Sequence, residues 1–93
     1  MRLEWKLLAV EDRERIVNYV AEHNPIAAFE LDEEIEAKVE QLIQRPELYR
    51  VGRKRGTREM VVRPNYLVIY RLRGEVAEIL RVKHAAEQWP LAR

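Results

Sequence analysis

Residues 58–84 read REMVVRPNYLVIYRLRGEVAEILRVKH, and this stretch decides how the chain folds. Pro64-Asn65 and Gly74 break it into three runs, Arg58–Arg63, Tyr66–Arg73 and Val76–His84. Proline, asparagine and glycine punctuate turns, while valine, isoleucine and tyrosine favour strands. Successive strand side chains point to opposite faces, so parity sorts them. Even positions hold Val68, Tyr70, Leu72, Val76, Leu80 and Val82. Odd positions hold Ile69, Arg71, Arg73, Ile79, Arg81 and Lys83, two aliphatics and four cations. The pattern predicts a meander of three antiparallel strands, its even face in the core and its basic odd face turned outward. Leu80 is then a core residue and Arg81 its outward neighbour.

Upstream, Arg2–Lys6 alternates, with Leu3 and Trp5 on one side, and reads as a short first strand. A helix is expected from about Val10 to His23, with Glu11 and Asp12 in its first turn, where the helix dipole favours acids. Ile16, Tyr19, Val20 and His23 form its apolar stripe. Asn24-Pro25 ends it, because the residue before proline is pushed out of the α region. A second helix runs from about Ile26 to Arg45, with Pro25 suited to its start. Ala28, Leu31, Ile35, Val39, Leu42 and Ile43 share one face of it. The short turn between the helices predicts an antiparallel hairpin packed on the even face of the sheet. The fold class is therefore α+β, in one domain spanning 1–93.

Residues 46–57, PELYRVGRKRGT, form an irregular and strongly basic segment. Its glycines match neither a P-loop nor GxGxxG. After His84 the tail AAEQWPLAR reads as a short irregular end with Trp89 docking on the domain.

The composition, 47% hydrophobic and 35% charged, suits a soluble globular protein. Apolar runs are too short for a membrane span or a signal peptide. With no cysteine, disulfides and cysteine-based metal sites are excluded, which fits a cytoplasmic protein. The net charge of +1 conceals a division. Residues 11–48 carry eleven acids and four Lys/Arg, whereas residues 49–93 carry four acids and eleven Lys/Arg. The second half is thus expected to meet a polyanion or an acidic protein. The side chains placed there to bind a target or partner are Arg53, Lys54, Arg55, Arg71, Arg81 and Lys83, with Trp89 beyond them.

Catalytic signatures are sparse: HExxH, GxSxG and a cysteine nucleophile are all missing. The two histidines lie in different elements, so neither a metal site nor a cofactor is expected. His23 reads as structural. His84, following Arg81 and Lys83, stands at the rim of the basic face, where it could serve as acid or base in phosphodiester cleavage. Cations beside it, Arg81 and Arg58, would stabilise the developing charge. Glu59, the sole acid in residues 50–63, reads as a salt-bridge partner for those cations, with general base as its other role.

The stretch GTREMVVRPNYLVIYRL followed by EILRVKHAAEQWP resembles toxins of the RelE/ParE superfamily, the toxin halves of bacterial type II toxin–antitoxin modules. The likeness is to the ParE-type, plasmid-stabilisation branch. It rests on the loop with Gly56 before Arg58-Glu59, on Asn65-Tyr66 with Tyr70-Arg71, and on Arg81-Val82-x-His84-Ala85. Leu3-Trp5 and NPIAAFELDEEIE match as well, so the resemblance covers essentially the whole chain. It implies a helical hairpin on an antiparallel sheet, a cognate antitoxin with which the toxin forms a hetero-oligomer, and growth arrest through DNA gyrase. The RelE-type alternative implies mRNA cleavage on the ribosome by several Lys/Arg residues and usually a C-terminal tyrosine. This chain departs from the nuclease pattern. Glu59–Arg63 lacks alternating lysines, Leu67 replaces an arginine, and no tyrosine follows His84.

Overall fold

The structure, a computed structural model, describes residues 1–87; Trp89 and the docking expected of it fall outside the described residues. The elements follow in the order β1 (Arg2–Trp5), α1 (Leu7–Ala21), α2 (Pro25–Leu42), β2 (Arg50–Val51), β3 (Arg58–Arg63), β4 (Tyr66–Arg73) and β5 (Val76–His84). The three strands of the opening stretch therefore have the bounds that the turn residues predicted. The sheet runs β1-β5-β4-β3-β2. It is antiparallel throughout except where β1 pairs β5 in parallel, Arg2 opposite Val76 and Trp5 opposite Ile79.

Helix α2 follows its predicted stripe: Ala28, Leu31, Ile35, Val39 and Leu42 are all buried. Asn24 caps it, its side-chain oxygen accepting from the Ala27 N–H at 3.1 Å, and Pro25 occupies the first turn, where its missing N–H costs nothing. Helix α1 begins three residues before the predicted start, at Leu7, which puts Asp12 in its second turn, so the dipole argument for that residue does not hold. Its inward stripe is Ala9, Asp12, Ile16 and Val20, while Tyr19 and His23 are exposed. Arg13 joins the helices through Asp32 at 2.7 Å and Glu36 at 2.8 Å.

One strand breaks parity. In β4–β5, Ile69 opposes Arg81 and Tyr70 opposes Ile79, so Leu80 is an unpaired extra residue, a β-bulge. Past a bulge the faces exchange. Ala77 and Ile79 consequently point into the core before it, and Val82 after it. The sequence reading put Val76 and Leu80 there and Ile79 outside; all three are corrected by the bulge. Val68 and Tyr70 are buried as predicted, with Leu72 partly buried against them. The Tyr70 hydroxyl donates to the Pro46 carbonyl, and burial pushes its pKa up to about 12. That bond, with Arg58 donating to the carbonyls of Glu47 and Tyr49, ties the segment after α2 to the sheet.

The basic loop is folded tightly back on itself. The Gly52 N–H donates to the Thr57 carbonyl at 2.7 Å, and a Cβ at Gly52 would lie 2.2 Å from the Thr57 hydroxyl, so only glycine fits.

Candidate functional site

Three carboxylates are buried among the described residues, Asp12, Glu59 and Glu78, and each is gripped by cations. Asp12 lies where α1 passes along the half of β5 that β1 does not reach. Its carboxylate accepts from Arg81 Nε at 2.7 Å and Nη2 at 3.0 Å, from Arg15 at 3.2 Å and from the Val82 N–H at 3.1 Å. The last bond satisfies a strand-edge amide that would otherwise be orphaned. Burial alone would raise the Asp12 pKa. The Arg81 and Val82 hydrogen bonds and the charges of Arg81 and Lys83 outweigh it and hold the carboxyl below its ordinary value. The Asp12 hydrogen bond raises Arg81 in turn, against burial.

Glu59, on β3, accepts from the Arg53 N–H at 2.9 Å and guanidinium at 3.2 Å and from Arg50 at 3.0 Å. Burial would raise its pKa too, but the Arg53 and Arg50 bonds prevail and lower it. Its sequence reading as a salt-bridge partner is the one the structure bears out. Glu78 draws Arg71 to 2.5 Å, Lys6 to 3.5 Å and Arg73 to 3.8 Å, and the Arg71 hydrogen bond chiefly lowers its pKa. The bulge puts Glu78 on the outward face, opposite Arg71, so that face is not free of acids.

Of the three residues expected to cooperate in cleavage, Arg58 and His84 lie far apart along the sheet, and Arg81 is engaged elsewhere. Arg81 is bound to Asp12. Arg58 braces backbone carbonyls and pairs with Tyr70, whereas His84 pairs with Tyr66. Those pairings lie four positions apart on β4, about 13 Å at strand spacing. His84 lines a cleft of about 310 Å³ with Arg15, Ile16, Tyr19 and Tyr66, and its ring meets the edge of Tyr66 with centroids 5.3 Å apart. Its Nδ1 accepts from the Ala86 N–H at 3.0 Å, which leaves the proton of the neutral ring on Nε2. In that tautomer Nε2 is a donor, and the Nδ1 lone pair that would take a proton is engaged by the Ala86 N–H.

Of the residues expected to bind a partner, Arg53 is committed to Glu59 and Arg71 to Glu78. Arg55 is exposed in the loop, and Lys83 is buried at 7% exposure opposite Leu67. Lys54 lines a hollow with Lys6, Leu7, Leu8, Arg71, Leu80 and Arg81. Sequence reasoning missed Asp12, Arg15 and Glu78. Asp12 did leave a signal: an acid standing between Ala9 and Ile16 at helical spacing occupies a position that the stripe would give to an apolar residue.

Residues 3–89 match the family model described as the ParE toxin of type II toxin-antitoxin systems, parDE. The protein described as "Putative toxin Y4kP" of Sinorhizobium fredii is 37% identical over 90 residues, covering 96% of this chain and 93% of that protein. Toxin RelE2 of Caulobacter vibrioides is 29% identical over 82 residues, 88% of this chain and 92% of that one. Among solved structures, the chromosomal ParDE system of P. aeruginosa superposes with a TM-score of 0.82 at 22% identity, covering 90% of this chain and 95% of that chain. The YoeB/ParE toxin of Agrobacterium tumefaciens gives 0.64 at 16% identity, covering 90% and 98%.

Proposed function

Because this chain belongs to the ParE toxin family of type II toxin–antitoxin systems, we propose that it arrests growth by binding DNA gyrase and is neutralised by a cognate antitoxin. The observation that carries the gyrase reading is the disposition of the candidate catalytic residues. Arg81 is locked to a buried carboxylate, Arg58 to backbone carbonyls, and the Nδ1 lone pair of His84 to the Ala86 N–H. Cleavage of RNA needs an acceptor for the attacking hydroxyl proton and cations aimed at the phosphate in one place. Here those groups hold the fold instead, which suits a surface that binds a protein target. The antitoxin reading is supported by the structural likeness to a ParDE system and by the basic second half of the chain.

A second reading, ribosome-dependent mRNA cleavage, is favoured by His84 opening on a cleft beside Arg15 and by the similarity to toxin RelE2. His84→Ala decides between them. The protein would be induced in cells lacking antitoxin, with DNA and protein synthesis labelled separately. A gyrase toxin keeps its toxicity in the variant and stops replication first. Abolished toxicity in a variant with an unchanged circular dichroism spectrum, together with an immediate translation stop in the parent, would establish the nuclease.

A further inference from the structure

The hollow at the bulge has walls of two kinds. Lys6, Lys54, Arg71 and Arg81 supply four cations, and Leu7, Leu8 and Leu80 supply three leucines; no acid lines it, and its volume is about 410 Å³. Leu7 is 70% and Leu8 52% exposed, both in the first turn of α1, and neither belongs to the buried stripe that starts at Ala9. Two adjacent leucines left in water beside a third, ringed by cations, have the composition of a docking site: an apolar floor with a charged rim.

We infer that this hollow docks an acidic, leucine-bearing segment of the antitoxin, its leucines on Leu7, Leu8 and Leu80 and its carboxylates on Lys6, Lys54 and Arg71. The inference rests on the antitoxin reading above and adds the place and the chemistry. Glu78 holds Arg71 through Nε at 2.5 Å, which fixes the guanidinium while leaving its Nη donors for a partner's carboxylate. The bulge residue Leu80, unpaired in the ladder, lines the hollow. A nucleic acid fits the walls less well. Phosphates gain nothing from three leucines, whereas the apolar side chains of a peptide can cover them.

The test uses a short fluorescein-labelled helical peptide of glutamates and leucines, titrated against the full chain by fluorescence anisotropy. Its controls are the same peptide with glutamine for glutamate, the same with serine for leucine, and a uridylate oligonucleotide of equal length. We expect the parent peptide to bind at least about tenfold tighter than each control. The double variant Leu7→Ser/Leu8→Ser, and separately Lys54→Glu, should each weaken it by about fivefold or more with an unchanged circular dichroism spectrum. The inference is overturned if either peptide control binds within about twofold of the parent, if the leucine variant binds as the unmodified chain does, or if the RNA binds more tightly. Growth arrest on induction is scored alongside. Arrest without selective peptide binding removes the docking inference alone; selective binding without arrest removes the toxin reading and keeps the hollow as a peptide site.

Discussion

Asp12→Ala should be the most damaging single polar substitution in this protein, and its cost can be worked from the contacts. Asp12 is 1% exposed and accepts from Arg81, Arg15 and the Val82 N–H. Its loss leaves the buried Val82 amide without an acceptor, about 1–3 kcal/mol. It also strips Arg81 of its counterion, and breaking a buried pair costs about 3–5 kcal/mol in all. The Arg81 side chain is 22% exposed and can turn partly to water, so about 3 kcal/mol is expected. For a domain of this size that lowers the melting temperature by about 12 °C or more. Asp12→Asn keeps an acceptor for Val82 and should lose about half as much.

The pH dependence follows from the sign of the shift. The folded Asp12 pKa lies below its ordinary value. Its contribution is therefore fully present above the unfolded pKa of about 4 and is lost as pH falls through the depressed folded value. Urea unfolding followed by circular dichroism should show the parent and Asp12→Ala far apart at neutral pH and converging in acid. Glu59 and Glu78, whose pKa values are also lowered, keep some acid sensitivity in both proteins. A variant within about 0.5 kcal/mol of the parent at neutral pH, or a gap that does not narrow in acid, would refute the claim that Asp12 clamps α1 to β5.

The bulge makes Ile79 the core residue of β5, so Ile79→Ala should cost about 2–5 kcal/mol in urea titration, and Leu80→Ala less than half of that. Equal costs would return Leu80 to the core. Lys54→Glu/Arg55→Glu should slow antitoxin association in stopped flow and flatten its salt dependence with little change in dissociation, because exposed charges steer encounter. Arg53 is left intact in that variant because it braces Glu59.

The sequence revealed most of the fold because its signals were local and agreed with one another. Pro64-Asn65 and Gly74 set the strand limits, and Gly74 adopts φ 59°, which side-chain-bearing residues rarely adopt. The α2 stripe was equally plain. The site was less legible because its bonds join distant positions. Arg81 and Asp12 are 69 residues apart, and no spacing rule connects them. Counting charges showed a basic half, yet not that Glu59 and Glu78 would each gather cations from neighbouring strands and loops. The parallel pairing of β1 with β5 was likewise hidden, since four alternating residues say nothing about their partner.

The misread half of β5 has one cause, and it can be tested directly. With Leu80 removed, Ile79 and Arg81 become neighbours: Ile79 already faces the core opposite Tyr70, and Arg81 already faces outward opposite Ile69. Deletion of Leu80 thus turns the bulged strand into a regular one without moving any core side chain to the other face. Deletion of Val68 in β4, by contrast, must turn one half of that strand inside out and expose either Tyr70 or the residues before it. The Leu80 deletion should therefore fold, losing about 1–3 kcal/mol from its partly buried leucine and from the altered approach of Arg81 to Asp12. The Val68 deletion should not fold. Far-ultraviolet circular dichroism and a urea titration of both proteins suffice. If deleting Leu80 abolishes folding as completely as deleting Val68, the extra residue is required by the sheet itself, and its reading as an insertion into an otherwise regular strand is wrong.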